Sequence, residues 1–315
     1  MKRAFIFPGQ GSQAVGMGKA LADAFPQAKA VFDEVDEALS QKLSTIMWEG
    51  PAEELTLTAN TQPALMAVSL AAIRILEAEA GLDLKKHATF VAGHSLGEYS
   101  ALAAAGSLSI SDTARLLRIR GNAMQNAVPV GQGAMAALLG LEYDAALEVA
   151  REAAQGEVCD AANDNGGAQV VVSGHKAAVE RAVAIAQTKG AKRAVMLAVS
   201  APFHCALMQP AADAMREALG SVTVIAPAVP VVANVEAAPI TDPAAIRDAL
   251  VRQVTGTVRW RESVAHMAAQ GVEAFYEIGS GKVLTGLVKR IASGASATAI
   301  GTPEDVAAFK VSLNG

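Results

Sequence analysis

The chain alternates short apolar runs with longer segments in which apolar positions recur every three to four residues. Residues 4–7 read as a buried strand, stopped by Pro8-Gly9. A glycine-rich loop, Pro8-Gly9-Gln10-Gly11-Ser12-Gln13, then leads toward a helix. Residues 26–43 and 63–80 have the helical period, and the second is apolar nearly all round, which predicts a buried helix. Ala88, Phe90, Val91 and Ala92 form another strand-like run that ends at Gly93. Helices follow over 97–105 and 111–127, the latter with Ser111-Asp112 as its cap.

The texture changes at Val128-Pro129-Val130-Gly131-Gln132-Gly133, which reads as a linker. Beyond it the pattern predicts strand 134–139, helix 143–154, strands 158–162 and 169–173, helix 176–187 and strand 194–197. Asn163-Asp164-Asn165-Gly166-Gly167 makes the central strands a hairpin. The order β-α-β-β-α-β is that of a ferredoxin-like split βαβ unit, so residues 129–197 are expected to form a small domain inserted between 1–128 and 198–315. The larger part resumes with a helix over 205–219, a strand at 229–233, helices at 243–254 and 261–270, and a strand at 274–278. Gly279-Ser280-Gly281 then opens a helix through Lys289. Strands alternating with helices predict an α/β fold with a parallel, covered sheet.

The 315 residues carry a net charge of -5 and show no cationic stripe, which argues against nucleic-acid binding. Only two cysteines occur, Cys159 and Cys205, without metal-ligand spacing, as expected of a reducing compartment. The apolar run after Lys2-Arg3 is too short for a signal peptide. The uncharged reach 55–73 contains Asn60, Gln62 and Pro63, which hydrocarbon would not tolerate unpaired, so no membrane span is expected. A cytoplasmic protein is the reading.

Candidate chemistry concentrates at Gly93-His94-Ser95-Leu96-Gly97. This is G-x-S-x-G between a strand and a helix, the pattern of a nucleophile elbow. The glycines leave room for a sharp turn that lifts the serine hydroxyl above the sheet edge, and the Leu96 N–H points at the same spot. The alternative is a glycine-rich turn with an ordinary serine. A serine needs a base, and five histidines are available. His87 lies in a charged run, His175 starts a helix in the small unit, His266 lies within a helix, and the His94 side chain should leave the turn opposite Ser95. His204 lies where the chain re-enters the larger domain, at a junction of the kind that builds sites in α/β proteins. It is the candidate base, with capping of the following helix as the alternative. A thiol nucleophile at Cys205 is disfavoured, because sequence neighbours seldom face each other.

Six segments in order carry a resemblance: Phe7-Pro8-Gly9-Gln10-Gly11-Ser12-Gln13, Thr61-Gln62-Pro63-Ala64, Gly93-His94-Ser95-Leu96-Gly97-Glu98, Arg120-Gly121-Asn122-Ala123-Met124-Gln125, Phe203-His204, and Gly279-Ser280-Gly281-Lys282-Val283-Leu284. Through them the chain resembles, over nearly its whole length, the malonyl-CoA:acyl carrier protein transacylases of fatty-acid synthesis and the acyltransferase domains of polyketide synthases. The resemblance implies an α/β-hydrolase-like large domain with a ferredoxin-like insert. It implies a ping-pong transfer of malonyl from malonyl-CoA to the phosphopantetheine thiol of holo acyl carrier protein. No cofactor would be permanently bound, and the chain would act as a monomer. Ser95 would be the nucleophile and His204 the base. Arg120 would hold the malonyl carboxylate, where sequence alone reads a solvated or ion-paired helical arginine. Backbone N–H groups of Gln10 and Leu96 would form the oxyanion hole, and the Gln253 carbonyl would orient His204.

Phe203 and Leu96 are read as acyl-pocket walls that leave no room for an α-methyl. His94 and Gln62 are read as pocket residues, or as groups bonding loops to each other. Asn163 and Asn165 are expected turn residues and stay outside the site. The carrier should be acidic, so Lys189, Lys192, Arg193, Lys289 and Arg290 are candidate docking residues. A serine esterase or thioesterase shares the elbow, but it would place an acid and then a histidine late in the chain, and no histidine follows His266. A silent scaffold would not need Ser95, His204 and Arg120 together. A free-standing polyketide acyltransferase would use the same chemistry.

Overall fold

A computed structural model describes residues 1–314. It is a mixed α/β structure with ten strands among the described residues: β1 (Lys2–Phe7), β2 (Phe90–Gly93), β3 (Gly133–Leu139), β4 (Cys159–Asp164), β5 (Gln169–His175), β6 (Arg193–Met196), β7 (Val231–Ala233), β8 (Ala238–Ile240), β9 (Val272–Ile278) and β10 (Ser296–Ile300). Six form one sheet in the order β10-β9-β1-β2-β7-β8, and four form a second in the order β4-β5-β3-β6. The first sheet is parallel from β10 to β7, as the alternating pattern predicts. At its edge β8 runs antiparallel to β7, a short hairpin the alternation did not signal. The second sheet is antiparallel throughout.

Residues 4–7 of β1 are all buried, and successive side chains face different cores. Phe5 and Phe7 face a core built with helices Pro26–Leu39, Thr58–Ile75, Ile110–Asn126 and Gln209–Gly220. Ala4 and Ile6 face a smaller core with Trp260, Val264, Leu287 and Val288 from helices Trp260–Ala269 and Val283–Ile291. Helices therefore cover both faces of the sheet, which buries its central strands, while the edge strands β8 and β10 stay partly exposed. The antiparallel sheet turns Ala136, Leu138 and Val172 toward its own helices, Tyr143–Ala154 and Lys176–Thr188. It turns Met135 and Val171 toward the large core. Its hairpin end is tied down by backbone bonds between Asp164 and Val258 and between Val258 and Ala162, and by the Asp164–Arg261 ion pair at 2.8 Å.

Several expected boundaries shift for local reasons. The predicted helix 63–80 begins at Thr58 and keeps Pro63 inside it, then passes into a π-helical turn at Leu76–Ala80. The turn before the proline is held by the Asn60 and Thr61 side chains on the Glu54 and Leu55 carbonyls. Residues 58–73 of the uncharged segment thus lie in a buried helix, and among the described residues no helix is long and apolar enough to cross a membrane. The helix at 110 is capped by Ser109, whose Oγ accepts from the Asp112 N–H, rather than by Ser111-Asp112. The predicted helix 26–43 stops at Leu39, where Ser40 turns left-handed, and the helix expected from 205 starts at Gln209 after a 3-10 turn.

Parallel pairing sets the site. Phe7 lies beside Gly93 and Ala92 beside Val232, so β1, β2 and β7 all end at the same sheet edge. The loops after them share that edge, where open α/β sheets build their sites. The packing there forbids side chains. A Cβ on Gly97 would lie 2.2 Å from the Phe7 carbonyl oxygen, one on Gly93 would lie 1.9 Å from Gly97 backbone, and one on Gly9 would lie 2.7 Å from the His94 carbonyl.

Candidate active site

Ser95 sits at the tip of the turn between β2 and helix Gly97–Ala104 with φ 54°, a left-handed conformation that costs a non-glycine residue on the order of 1 kcal/mol. Three hydrogen bonds offset that strain. The His94 N–H donates to the Phe7 carbonyl, the Ser95 N–H donates to Asn234 Oδ1 at 2.8 Å, and Gln253 Nε2 donates to the Ser95 carbonyl at 3.0 Å. His204 is also left-handed, with φ 57°, and is 4% exposed. Its ring bridges Ser95 Oγ, 2.7 Å from Nε2, and the Gln253 carbonyl, 2.8 Å from Nδ1. A carbonyl only accepts, so Nδ1 carries the proton and the Nε2 lone pair faces the serine hydroxyl. The ring makes these bonds instead of capping the following turn.

Arg120 comes from helix Ile110–Asn126 and is 1% exposed. Its guanidinium donates to Gln62 Oε1 at 2.8 Å, to Gln253 Oε1 at 2.9 Å and to Ser95 Oγ at 3.1 Å. It also lies over the Tyr99 ring, 5.6 Å from the centroid, within cation–π reach. No carboxylate pairs with it among the described residues. This is a buried cation without an ion-paired carboxylate, facing the serine hydroxyl, not the solvated arginine that helical position alone predicts. Burial, and next the Arg120 charge, push the His204 imidazole down to about 3, so it is neutral at physiological pH.

Ser95, His204 and Arg120 line a cleft of about 330 Å³. Gln10, Leu96, Gln62, His94 and Phe203 line it as well. Among the described residues neither the Gln10 nor the Leu96 N–H has a backbone or side-chain acceptor. The Gln10 side chain is occupied with Thr58 Oγ1 at 3.3 Å. Gln62 joins Arg120 to the Met124 thioether, 3.7 Å from Nε2. His94 Nε2 lies 2.9 Å from Asn165 Oδ1, so it does bond one loop to another while facing the cleft. Cys205 donates to the Pro202 carbonyl, and burial raises its thiol to about 11, which removes it as a nucleophile at neutral pH.

Four residues at or behind the cleft escape sequence reasoning. Asn163 lines it, and Asn165 holds His94; both read as ordinary turn asparagines. Asn234, at the end of β7, is wholly buried and bonds both sides of the elbow, accepting from the Ser95 N–H and donating to the Gly93 carbonyl. Glu98, 1% exposed, accepts from the Asn234 N–H and from Gln253 Nε2 at 2.9 Å each. Its place three residues after Ser95, at a helix start, was the available signal.

The acyl transferase domain family matches residues 4–312. The malonyl CoA-acyl carrier protein transacylase of Escherichia coli K12 is 50% identical over 305 residues, 97% of each chain. The Bacillus subtilis protein of that name is 47% identical, covering 97% of this chain and 95% of its own. Among solved structures, an acyl-carrier-protein-S-malonyltransferase from Bartonella henselae superposes with a TM-score of 0.98 at 59% identity over all of both chains. A malonyl-transacylase solved with its type II polyketide acyl carrier protein superposes at 0.95 and 44% identity, covering 99% of this chain and 100% of that one. With elbow, histidine and buried arginine assembled at one sheet edge, the chain belongs to the acyl transferase family.

Proposed function

We propose that the chain transfers the malonyl group from malonyl-CoA to the phosphopantetheine thiol of an acyl carrier protein, through a malonyl ester on Ser95, and so supplies type II fatty-acid synthesis. The observation that carries this reading is Arg120: a buried guanidinium without a carboxylate partner, 3.1 Å from the hydroxyl that His204 also touches. An acyl group that brings its own carboxylate completes that site, and a neutral one leaves the cation unpaired.

In the first half-reaction Ser95 Oγ attacks the thioester carbonyl as its proton passes to His204 Nε2. The carbonyl oxygen becomes an oxyanion facing the unpartnered Gln10 and Leu96 N–H groups. Collapse breaks the C–S bond, and the CoA sulfur takes the proton from His204 as it leaves, which returns the imidazole to its neutral form. The carrier thiol then gives its proton to His204, attacks the ester and displaces Ser95, which recovers its proton. A thiolate is a far weaker base than an amine leaving group, so an imidazole held by the Gln253 carbonyl suffices without an aspartate. That arrangement, with Arg120 in the pocket, also sets the site apart from a thioesterase.

We assign residues 1–128 and 198–315 to an α/β-hydrolase-like catalytic domain and 129–197 to a ferredoxin-like insert, a reading supported by the strand order β4-β5-β3-β6. Phe203 and Leu96 serve as walls of the acyl pocket, with His94 and Gln62 as supporting residues. The chain works as a cytoplasmic monomer without a resident cofactor. Carrier docking falls at the hairpin end of the antiparallel sheet. There Arg290 packs against Gly167 and bonds Gln169, while Lys192 packs against Gly140, which itself bonds Ala168; Arg193 and Lys289 are exposed nearby in sequence. Lys189 is already paired with Glu152 at 2.6 Å and contributes least. Arg290→Glu is expected to raise KM for holo carrier protein about tenfold while sparing KM for malonyl-CoA. Equal KM values for the carrier would move the dock elsewhere.

The depressed His204 basicity fixes a pH response. The neutral imidazole is the working form, so its loss follows acidification through about 3 rather than the usual histidine range. Modification of Ser95 by a neutral sulfonyl fluoride should therefore hold its rate from about pH 8 down to about pH 5. A midpoint near 6.5 would show an exposed histidine, or another base.

A further inference from the structure

Behind the Ser95–His204–Arg120 cluster lies a buried acid with no part in the transfer described above. Glu98 is 1% exposed on helix Gly97–Ala104, and among the described residues no cation forms an ion pair with it. Burying a carboxylate without a cation partner is costly, so its presence needs a reason. Its Oε1 has no partner, while Oε2 accepts from the Asn234 N–H and from Gln253 Nε2. Both donors reach the reacting groups. Asn234 Oδ1 accepts from the Ser95 N–H, and Gln253 accepts from Arg120 through Oε1 and from His204 through its backbone carbonyl.

A glutamine amide can turn end for end, exchanging an acceptor for a donor. Three acceptors converge on one end of the Gln253 amide: Glu98 Oε2 at 2.9 Å, the Ser95 carbonyl at 3.0 Å and Asn234 Oδ1 at 3.1 Å. That end must be the NH2, so Oε1 must face Arg120. The turned amide would set its NH2 against a guanidinium and its oxygen against three acceptors. Resting on the reading of Arg120 as the anchor for the malonyl carboxylate, we infer that Glu98 is a positioning residue for acyl selection. Its acceptor oxygen Oε2, charged or neutral, fixes the Gln253 amide, and through it the aim of Arg120, while the same glutamine holds His204.

Glu98 also acts by charge. Burial raises its carboxyl to about 7, against the lowering effect of its hydrogen bonds and of two cations, Arg120 from helix Ile110–Asn126 and Arg252 from helix Pro243–Thr255. Tyr99 on its own helix is the other titratable group that interacts with it. No other charged group, from β1, β2, β7 or helix Thr58–Ile75, is seen to act on it among the described residues. Ionised Glu98 partly offsets the Arg120 charge and neutral Glu98 does not. Malonyl preference therefore declines as pH rises through the neutral range.

The test measures transfer from malonyl-CoA and acetyl-CoA by the full chain and by Glu98→Ala and Glu98→Gln, across about pH 6 to 8, with thermal melts as the folding control. Wild type is expected to lose several-fold of its malonyl preference across that range. Glu98→Ala should lose about tenfold or more of the preference, mostly through KM for malonyl-CoA, the worth of one hydrogen bond to a charged group. Glu98→Gln keeps an acceptor oxygen without the charge, so it should restore the preference and hold it level with pH. An undiminished preference in Glu98→Ala overturns the inference. If Glu98→Ala does not fold, Glu98→Gln decides alone: a level preference supports the inference, and one that tracks pH as wild type does overturns it. Wild type that transfers no malonyl would overturn the reading of the reaction itself.

Discussion

Ser95→Ala is expected to form no malonyl adduct and to lose on the order of 10⁴–10⁶ in transfer rate, the range seen when a serine nucleophile is removed from a cleft that keeps its other groups. The loss is chemical and not structural. The backbone of residue 95 is held through its N–H by Asn234 and through its carbonyl by Gln253, and neither bond uses the hydroxyl. What disappears is the one oxygen on which His204 Nε2 and Arg120 Nη2 converge. Stability should change by about 1 kcal/mol or less, because both residues carry the same backbone strain. The measurement is the intact mass of wild type and variant after mixing with malonyl-CoA, with free CoA followed in parallel. An adduct that survives in Ser95→Ala places the nucleophile elsewhere. Steady CoA release by wild type without an adduct means hydrolysis, and no adduct with no release means a silent scaffold.

What the residues disclose of this site depends on how local the constraint is. Gly93 and Gly97 announce the elbow because a Cβ at either would overlap backbone within the same turn or the neighbouring strand end. Ser95 follows from them, and His204 follows from its place at the junction after the small sheet. Asn234 is silent for the opposite reason. Asn234 reaches the elbow, 139 residues earlier in the chain, only because β7 pairs with β2 in a register that sets Val232 beside Ala92. Read alone, Ala233-Asn234-Val235 is a strand end with a turn residue. Asn165 likewise satisfies its hairpin and gives no hint that it holds His94 from across the cleft.

The fold follows the same rule. The continuous buried run of β1 and the period of the helices are local and legible, as is the order of elements around the four antiparallel strands. The three-residue edge strand β8 and the small-residue strand β10 bury too little to stand out from turns. Helix Pro303–Asn314 carries a start signal in Thr302-Pro303, with the Asp305 carboxylate accepting from the Thr302 N–H.

Arg120→Ala is expected to invert the acyl preference without silencing the enzyme. Removing one partner of a buried charge pair costs about 3–5 kcal/mol, on the order of 10²–10⁴ in kcat/KM for malonyl-CoA. For acetyl-CoA the sign is opposite, for two reasons on the page. The site no longer leaves a cation unpaired when a neutral acyl group enters. In addition His204, whose basicity is depressed first by burial and next by Arg120, loses the second of those causes and becomes a better base. In wild type the malonyl carboxylate provides the same relief by pairing with Arg120, so selection for malonyl acts on the chemical step as well as on binding. Lysine at position 120 should recover little, since one ammonium cannot reproduce the fork that spans Gln62 and Gln253. Competition between malonyl-CoA and acetyl-CoA for Ser95, read as the ratio of the two adduct masses, separates these effects. A variant that still excludes acetyl groups would show that the pocket walls, and not the buried cation, choose the substrate. A variant that accepts acetyl no faster than wild type while losing malonyl would confine Arg120 to binding and leave His204 untouched by its charge.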